Sequence, residues 1–474
     1  MADMSKHTPQ SLSNSAVIFS LLLGGVVVSL SNSALNPAIP LFMQVFGVPL
    51  VSASWVLNAY VIAMAIGLIM VSYLATIFVR KTLYLTALAV FGLGSMMGYF
   101  SPSIDWVIGA RFLQGLAGGI LIPLSVGILY QIVPHQRQGQ TMGLWGMVVM
   151  LGLAVGPLVG AYLVKWYGWD ALFIINLPLM GLAWALVWHY LPHQQAKIQQ
   201  RNLDKKGLLG LCLLLLGGFV WERVAHQYTA QFSEWMMVAM IGLGGILSYG
   251  SYRWWLYEYH HATPLLQVNI FDNRIYRYCT IISVTQTIGL MLYLILLPML
   301  IQQVMHHPAT WTGWVLMAST LIASVTTQLV GKIVDKQGAR LLGCWGVILT
   351  ASASFGLAWQ LVDISIIAVV IWVCVHGLGV GLAYIPTTTV GFSQLPADKV
   401  TEGASLNNIS RRICSGLVIW LAMAYVNYRQ TQAVNEVGIL QELLLLIGGM
   451  LLLSLPFAFA LPRTSSGFIN QQQS

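Results

Sequence analysis

Two residues in the run GARFLQGLAGGILIPLS, Arg111 and Gln114, set a guanidinium and a carboxamide one helical turn apart inside a segment that is otherwise apolar. A cation in such a segment is costly, and it faces a cavity or a partner or snorkels to carbonyls near an interface. His376, in HGLGVGLAYIP, lies equally deep in a later apolar run. Imidazole titrates near physiological pH, so this residue is a candidate proton carrier; a neutral packing histidine is the alternative. Ser29, Asn32 and Asn36 repeat at three- and four-residue spacing, a polar stripe suited to an aqueous path but unable to titrate. Asn407, Asn408 and Arg411 form a second polar face that lines a cavity or binds lipid phosphate. Asn58 and Tyr60 complete the candidate lining set.

Other chemistries find no support. The pairs His260-His261 and His306-His307 lack a third ligand at metal-like spacing, and the five cysteines stand singly, so no metal site is expected. There is no GxxxxGK[ST] loop and no Ser/His/Asp or Cys/His arrangement, so neither an enzyme nor a cofactor is expected. Energy for any pumping should come from an ion gradient.

The elements that hold these residues follow from composition. Charged residues make up 8% of 474, against roughly 25% in soluble domains, too few to coat a globule. Continuous apolar windows of helix-crossing length recur at 15–38, 51–76, 82–101, 105–130, 140–164, 170–191, 206–222, 235–257, 274–303, 312–333, 340–361, 364–390, 402–426 and 440–461, fourteen in all. Barrel strands would alternate, so the chain is read as all-α and integral to a bilayer. The first window is too long for a signal-peptide core and is expected to remain as a span.

Of the 22 Lys and Arg, only Lys165, Arg223 and Arg429 fall on one side of this topology, and Arg111 lies within a span. The bias places both termini in the cytoplasm. It also accounts for the net charge of +8 without nucleic acid as a partner, since no basic face interleaved with aromatics stands apart from the loops.

An internal repeat divides the chain. QGLAGGILIP in the fourth span returns as HGLGVGLAYIP in the twelfth, and the polar stretch HQQAKIQQRNLDKKG separates six spans from eight. The expected units are a six-helix bundle over 1–192, a cytoplasmic linker over 193–205, two inserted helices and their connection over 206–273, and a second six-helix bundle with its tail over 274–474. A second repeat concerns the loops. GKIVDKQGAR carries Gly331, Asp335, Gly338 and Arg340, whereas the equivalent SYLATIFVRK has Ser72, Thr76 and Val79 and keeps only Arg80 and Lys81. An acid in such a tight turn can face a helix N-terminus. The latch of a cytoplasmic gate is therefore expected chiefly at Asp335, with Arg80 and Lys81 serving orientation.

Gly152, Gly156 and Gly160 lie four apart with Pro157 among them, which implies close helix contact and a bend, or ordinary small-residue packing. Together with GLAVGPLVGAYLV, WDALFIINLPLM, LPMLIQQVMHHPATWTGWVLM and GASLNNISRRICSG in order, the chain resembles the fourteen-helix drug/proton antiporters of the major facilitator superfamily, the EmrB/QacA-type exporters. The resemblance implies the major facilitator fold, two six-helix bundles plus two inserted helices. It also implies an antiporter hinge at Gly152, Gly156, Pro157 and Gly160, and a proton-linked role for Arg111. Where the family usually has an acid and a threonine in the first span, this chain has Ser31 and Ser33.

The expected function is proton-coupled export of hydrophobic or amphipathic compounds across a bacterial inner membrane by alternating access. Export of one metabolite such as a siderophore, passive facilitation and ligand sensing are the alternatives. The resemblance leaves room for a periplasmic adaptor and an outer-membrane channel as partners.

Overall fold

The computed structural model describes residues 9–35, 38–191, 234–261, 264–361, 365–432 and 435–462, with isolated positions between 204 and 217. In lipid a backbone must satisfy its own N–H and C=O groups, and these residues do so as helices; no strand occurs among them. The long helices are α1 (Pro9–Ala34), α2 (Leu50–Ile77), α3 (Arg80–Tyr99), α4 (Ile104–Ile132), α5 (Gln138–Tyr167) and α6 (Asn176–Tyr190). After α7 (Glu234–His260) follow α8 (Arg274–Pro298), α9 (Ala309–Gln337), α10 (Arg340–Gln360), α11 (Ile366–Ser393), α12 (Val400–Thr431) and α13 (Glu436–Leu452).

Twelve helical segments among the described residues, those built on α1–α6 and α8–α13, are long and apolar enough to cross a membrane. The eighth expected window forms α7, while most of the seventh, with the 193–205 linker apart from Asp204, lies outside the described residues. One element was not expected: a short helix, Ile39–Phe46, follows α1 and ends on Gly47 in the left-handed region at φ 61°. Polar residues mark several starts. Asn273, Ser365 and Asn435 accept hydrogen bonds from Tyr276, Ala368 and Gly438 N–H at the openings of α8, α11 and α13.

Packing repeats between the two sets of six. Within the first, α2 lies on α4, α3 on α4 and α6, and α1 on α5; within the second, α9 lies on α11, α10 on α11 and α13, and α8 on α12. Across the middle, the second helix of each set meets the fifth of the other, α2 with α12 and α5 with α9.

The apolar cores show where these seams are closed. At the end bearing the basic loops, one buried cluster runs through both sets, from Leu85, Leu124 and Trp145 to Ile385, Phe392 and Leu406, beside a smaller one within the second set around Val334 and Val347. At the opposite end there are two, one around Leu35, Phe42, Val56 and Phe173 and another around Leu292, Leu357 and Leu443.

Candidate functional site

Arg111 is fully buried on α4. Its guanidinium lies over the Tyr60 ring of α2, 4.0 Å from the centroid. Nη1 donates to Ser31 Oγ of α1 at 3.1 Å and to Gln114 Oε1 at 2.8 Å, and Nε donates to the Val56 carbonyl at 3.3 Å. Gln114 passes the chain on, its Nε2 donating to Ser95 Oγ at 2.9 Å, while Tyr60 O–H donates to the Val28 carbonyl at 3.1 Å. Every hydrogen-bond partner of the cation is therefore neutral, and Nη2 has none among the described residues. Buried charges are ordinarily paired, so this arrangement holds a positive field that the protein itself does not cancel.

A second cationic group stands on α12. Arg411 Nη2 donates to Asn408 Oδ1 at 2.7 Å and its guanidinium lies 4.8 Å from the Tyr384 ring centroid. Arg412, which sequence reasoning passed over, reaches across the seam to Met64 Sδ of α2 at 2.9 Å. Nε of each arginine lacks a partner among the described residues. Asn407 turns elsewhere, towards Ser283 and Thr280 of α8 at 3.3 and 3.4 Å, so the expected three-residue face divides into two.

His376 sits inside the second set of helices. Its ring stacks on Tyr293 of α8 with centroids 4.0 Å apart and planes 21° apart, and Nε2 has no partner among the described residues. Tyr293 O–H in turn shares a hydrogen bond with Ser354 at 3.1 Å. Arg111 and His376 thus occupy different halves. Asn58 is exposed on α2 while Tyr60 is buried there, and Asn36 lies outside the described residues.

At the basic end the two seams are fastened by opposite charges. Asp335, at the end of α9, accepts from Gly139 N–H at 2.6 Å and Gln140 N–H at 2.9 Å in the first turn of α5, where the helix presents free donors. Gly331 allows this approach: a Cβ there would stand 2.5 Å from the Gly139 carbonyl oxygen. Gly338 ends α9 in the left-handed region at φ 73°. On the other seam Arg80 donates to the Gly127 carbonyl at 3.2 Å and, across the halves, to the Ala397 and Asp398 carbonyls at 3.4 and 2.7 Å just before α12. Arg80 thus fastens the halves instead of only setting orientation. Lys81 bonds within its own half to the Trp188 carbonyl at 2.7 Å, Thr76 turns back to Tyr73 at 2.7 Å, and Arg340 lies 5.9 Å from the Phe459 ring centroid.

The small residues of α5 face α1. A Cβ at Gly152 would lie 3.1 Å from the Val26 carbonyl oxygen, one at Gly156 would overlap Ser33 Oγ, and one at Gly160 the Ala34 carbonyl. Pro157 lies within the continuous helix. Sequence reasoning also missed a trio at the end away from the basic loops. Glu442 of α13 accepts from Tyr425 O–H at 2.7 Å and from Arg429 Nε at 2.9 Å, both on α12. Arg429 and Glu442 lie on separate helices, on either side of the connection that joins them, so their spacing in the sequence carries no signal for such a meeting. Among the described residues no cluster of His, Cys, Asp and Glu could hold a metal.

Comparison with known proteins agrees with this arrangement. A sequence profile of the Major Facilitator Superfamily matches residues 21–419. The chain is 25% identical over 431 residues to the multidrug export protein EmrB of Haemophilus influenzae, covering 86% of this chain and 82% of that one. It is 26% identical over 439 residues to the probable multidrug resistance protein EmrY of Escherichia coli, covering 90% and 84%. In structure it resembles the proton:xylose symporter XylE with a TM-score of 0.67 at 14% identity, over 95% of this chain and 96% of XylE, a likeness of fold alone.

Proposed function

The chain belongs to the Major Facilitator Superfamily and is a multi-pass membrane transporter, not an enzyme, and from that premise we propose that it is a secondary active exporter of amphipathic small molecules, driven by protons. The observation that carries the reading is the pair of matched seams, α2 with α12 and α5 with α9, joined by one shared core at the basic end and leaving separate cores at the other. A bundle so divided can rock about its middle, and closure at one end leaves the substrate path open at the other. The names of the relatives, a multidrug export protein and a multidrug resistance protein, support outward movement.

In this reading residues 1–192 and 274–474 are the moving halves, 193–205 links them, and 206–273 supplies the inserted pair. The membrane is the bacterial inner membrane, and the basic end with both termini faces the cytoplasm, as the distribution of Lys and Arg supports. Arg111 and His376 are the proton-coupling candidates; Tyr60 and Gln114 brace Arg111, and Gly152, Gly156, Pro157 and Gly160 form the hinge against α1. An adaptor would have to dock on the outer helix ends.

The test is uptake of lipophilic dyes into inverted vesicles with and without a proton gradient, for the native protein and His376→Gln at matched protein levels. Gradient-driven uptake supports export. Its loss in the variant assigns the proton to His376, and its survival moves coupling to Arg111. Passive facilitation is the second reading, favoured by the neutral Ser31 beside Arg111 and by the absence of an acid at Thr76; uptake indifferent to the gradient would select it.

A further inference from the structure

Three guanidiniums, those of Arg111, Arg411 and Arg412, are wholly or half buried within membrane-crossing helices. Their hydrogen-bond partners are Ser31, Gln114, the Val56 carbonyl, Asn408 and Met64, and each guanidinium keeps one nitrogen without a partner among the described residues. The charged and titratable groups that act on them are Tyr60 for Arg111, Tyr60 for Arg412, and Arg412 for Arg411. No carboxylate is among these. Arg111 lies over Tyr60 and Arg412 reaches Met64 one turn further along α2, so cations from the two halves approach the same stretch of α2 at its seam with α12.

Four of the described carboxylates have partners elsewhere. Asp335 holds the first turn of α5, Glu442 pairs with Arg429, Glu258 accepts from Leu266 N–H, and Glu402 accepts from Gln267. A seam with this charge repels a cationic solute, and an anion entering it supplies the counter-charge that the chain withholds. Tyr384, half-buried beside Arg411, offers aromatic surface to the body of such a solute, with Met64 beneath Arg412.

Resting on the exporter reading above, we propose that the transported compounds are amphipathic organic anions, whose acid group binds between Arg411 and Arg412 with Arg111 behind Tyr60 adding to the field. Recognition is by charge and a short apolar contact; it does not require one particular acid. The phosphate of an anionic lipid has the same chemistry, and the test separates the two.

Purified full-length protein in phosphatidylcholine nanodiscs is titrated with carboxyfluorescein, an anion, and with rhodamine 6G, a cation of similar ring system, each corrected for empty nanodiscs. The anion should bind at least tenfold more tightly. Arg411→Gln and Arg412→Gln should each weaken anion binding about tenfold and leave the cation unchanged or improved, while Arg412→Lys should retain the preference. Equal or tighter binding of the cation by the native protein overturns the proposal whether or not any variant folds. Loss of the anion on changing the discs to phosphatidylglycerol also overturns it, because the site then belongs to lipid. Anion binding without gradient-driven flux in the vesicle assay would leave the site intact and reject the exporter reading instead.

Discussion

The contact between Arg111 Nη1 and Ser31 Oγ, 3.1 Å long, is where an ion pair would stand if residue 31 were an acid. Introducing one offers a direct measure of the uncancelled field. Ser31→Asp should raise the thermal midpoint of the detergent-solubilised protein by several degrees, in keeping with about 1.5–3 kcal/mol for a hydrogen bond to a charged group, and should weaken binding of carboxyfluorescein. A fall in midpoint together with unchanged carboxyfluorescein binding would count against an uncancelled charge at Arg111. The cation itself was legible in the sequence, since arginine in an apolar run is rare. Its neighbours were less so: Gln114 shares its helix face and Ser31 stood out only as the place of the family's acid, while Arg412 next to Arg411 carried no signal, because its value comes from the way α12 packs on α2.

At the scale of single elements, the repeat singled out Asp335, which the structure places in the last turn of α9 just before Gly338, and its counterpart Thr76 has no charge to take its place. What it could not show is the partner, the opening turn of α5, which depends on how two halves meet. Nor did Arg80 declare its reach to the loop before α12. Asp335→Asn should weaken the closed basic end by about 1 kcal/mol, as expected for a charge at a helix N-terminus. Arg80→Ala should do likewise, and Thr76→Ala, which loses only a bond to Tyr73, should not. Reaction of cysteines placed on the facing loops with an impermeant maleimide would read this, and equal labelling of all three variants would count against a two-seam latch. Helix α5 gives a steric prediction. Gly156→Ala collides with Ser33 on α1 and should cost about 1–3 kcal/mol, seen as a lower thermal midpoint and reduced transport, whereas Gly92→Ala, with open space around it, should be neutral.

For the whole molecule, composition and window length made the fold readable: a chain with 8% charged residues and repeated apolar windows has few ways to satisfy its backbone in lipid. The twofold repeat of GLAGG-type segments foretold related halves, and the matched packing of second on fifth helices follows the same relation. Which end is shut was not readable, because it is decided by side chains far apart in sequence, such as Leu124 and Leu406, entering one cluster.

That shared cluster has a thermal consequence. Opening the basic end must wet apolar side chains from both halves that now cover one another, and wetting apolar surface raises heat capacity and becomes less unfavourable as water cools. Where the surface wetted at the basic end exceeds what closing the opposite end covers, the two conformers differ in heat capacity, and their balance bends with temperature instead of following a straight van't Hoff line. In that case chilling should draw the population towards the state open at the basic end, so the resting posture of this transporter would be set partly by the warmth of its surroundings.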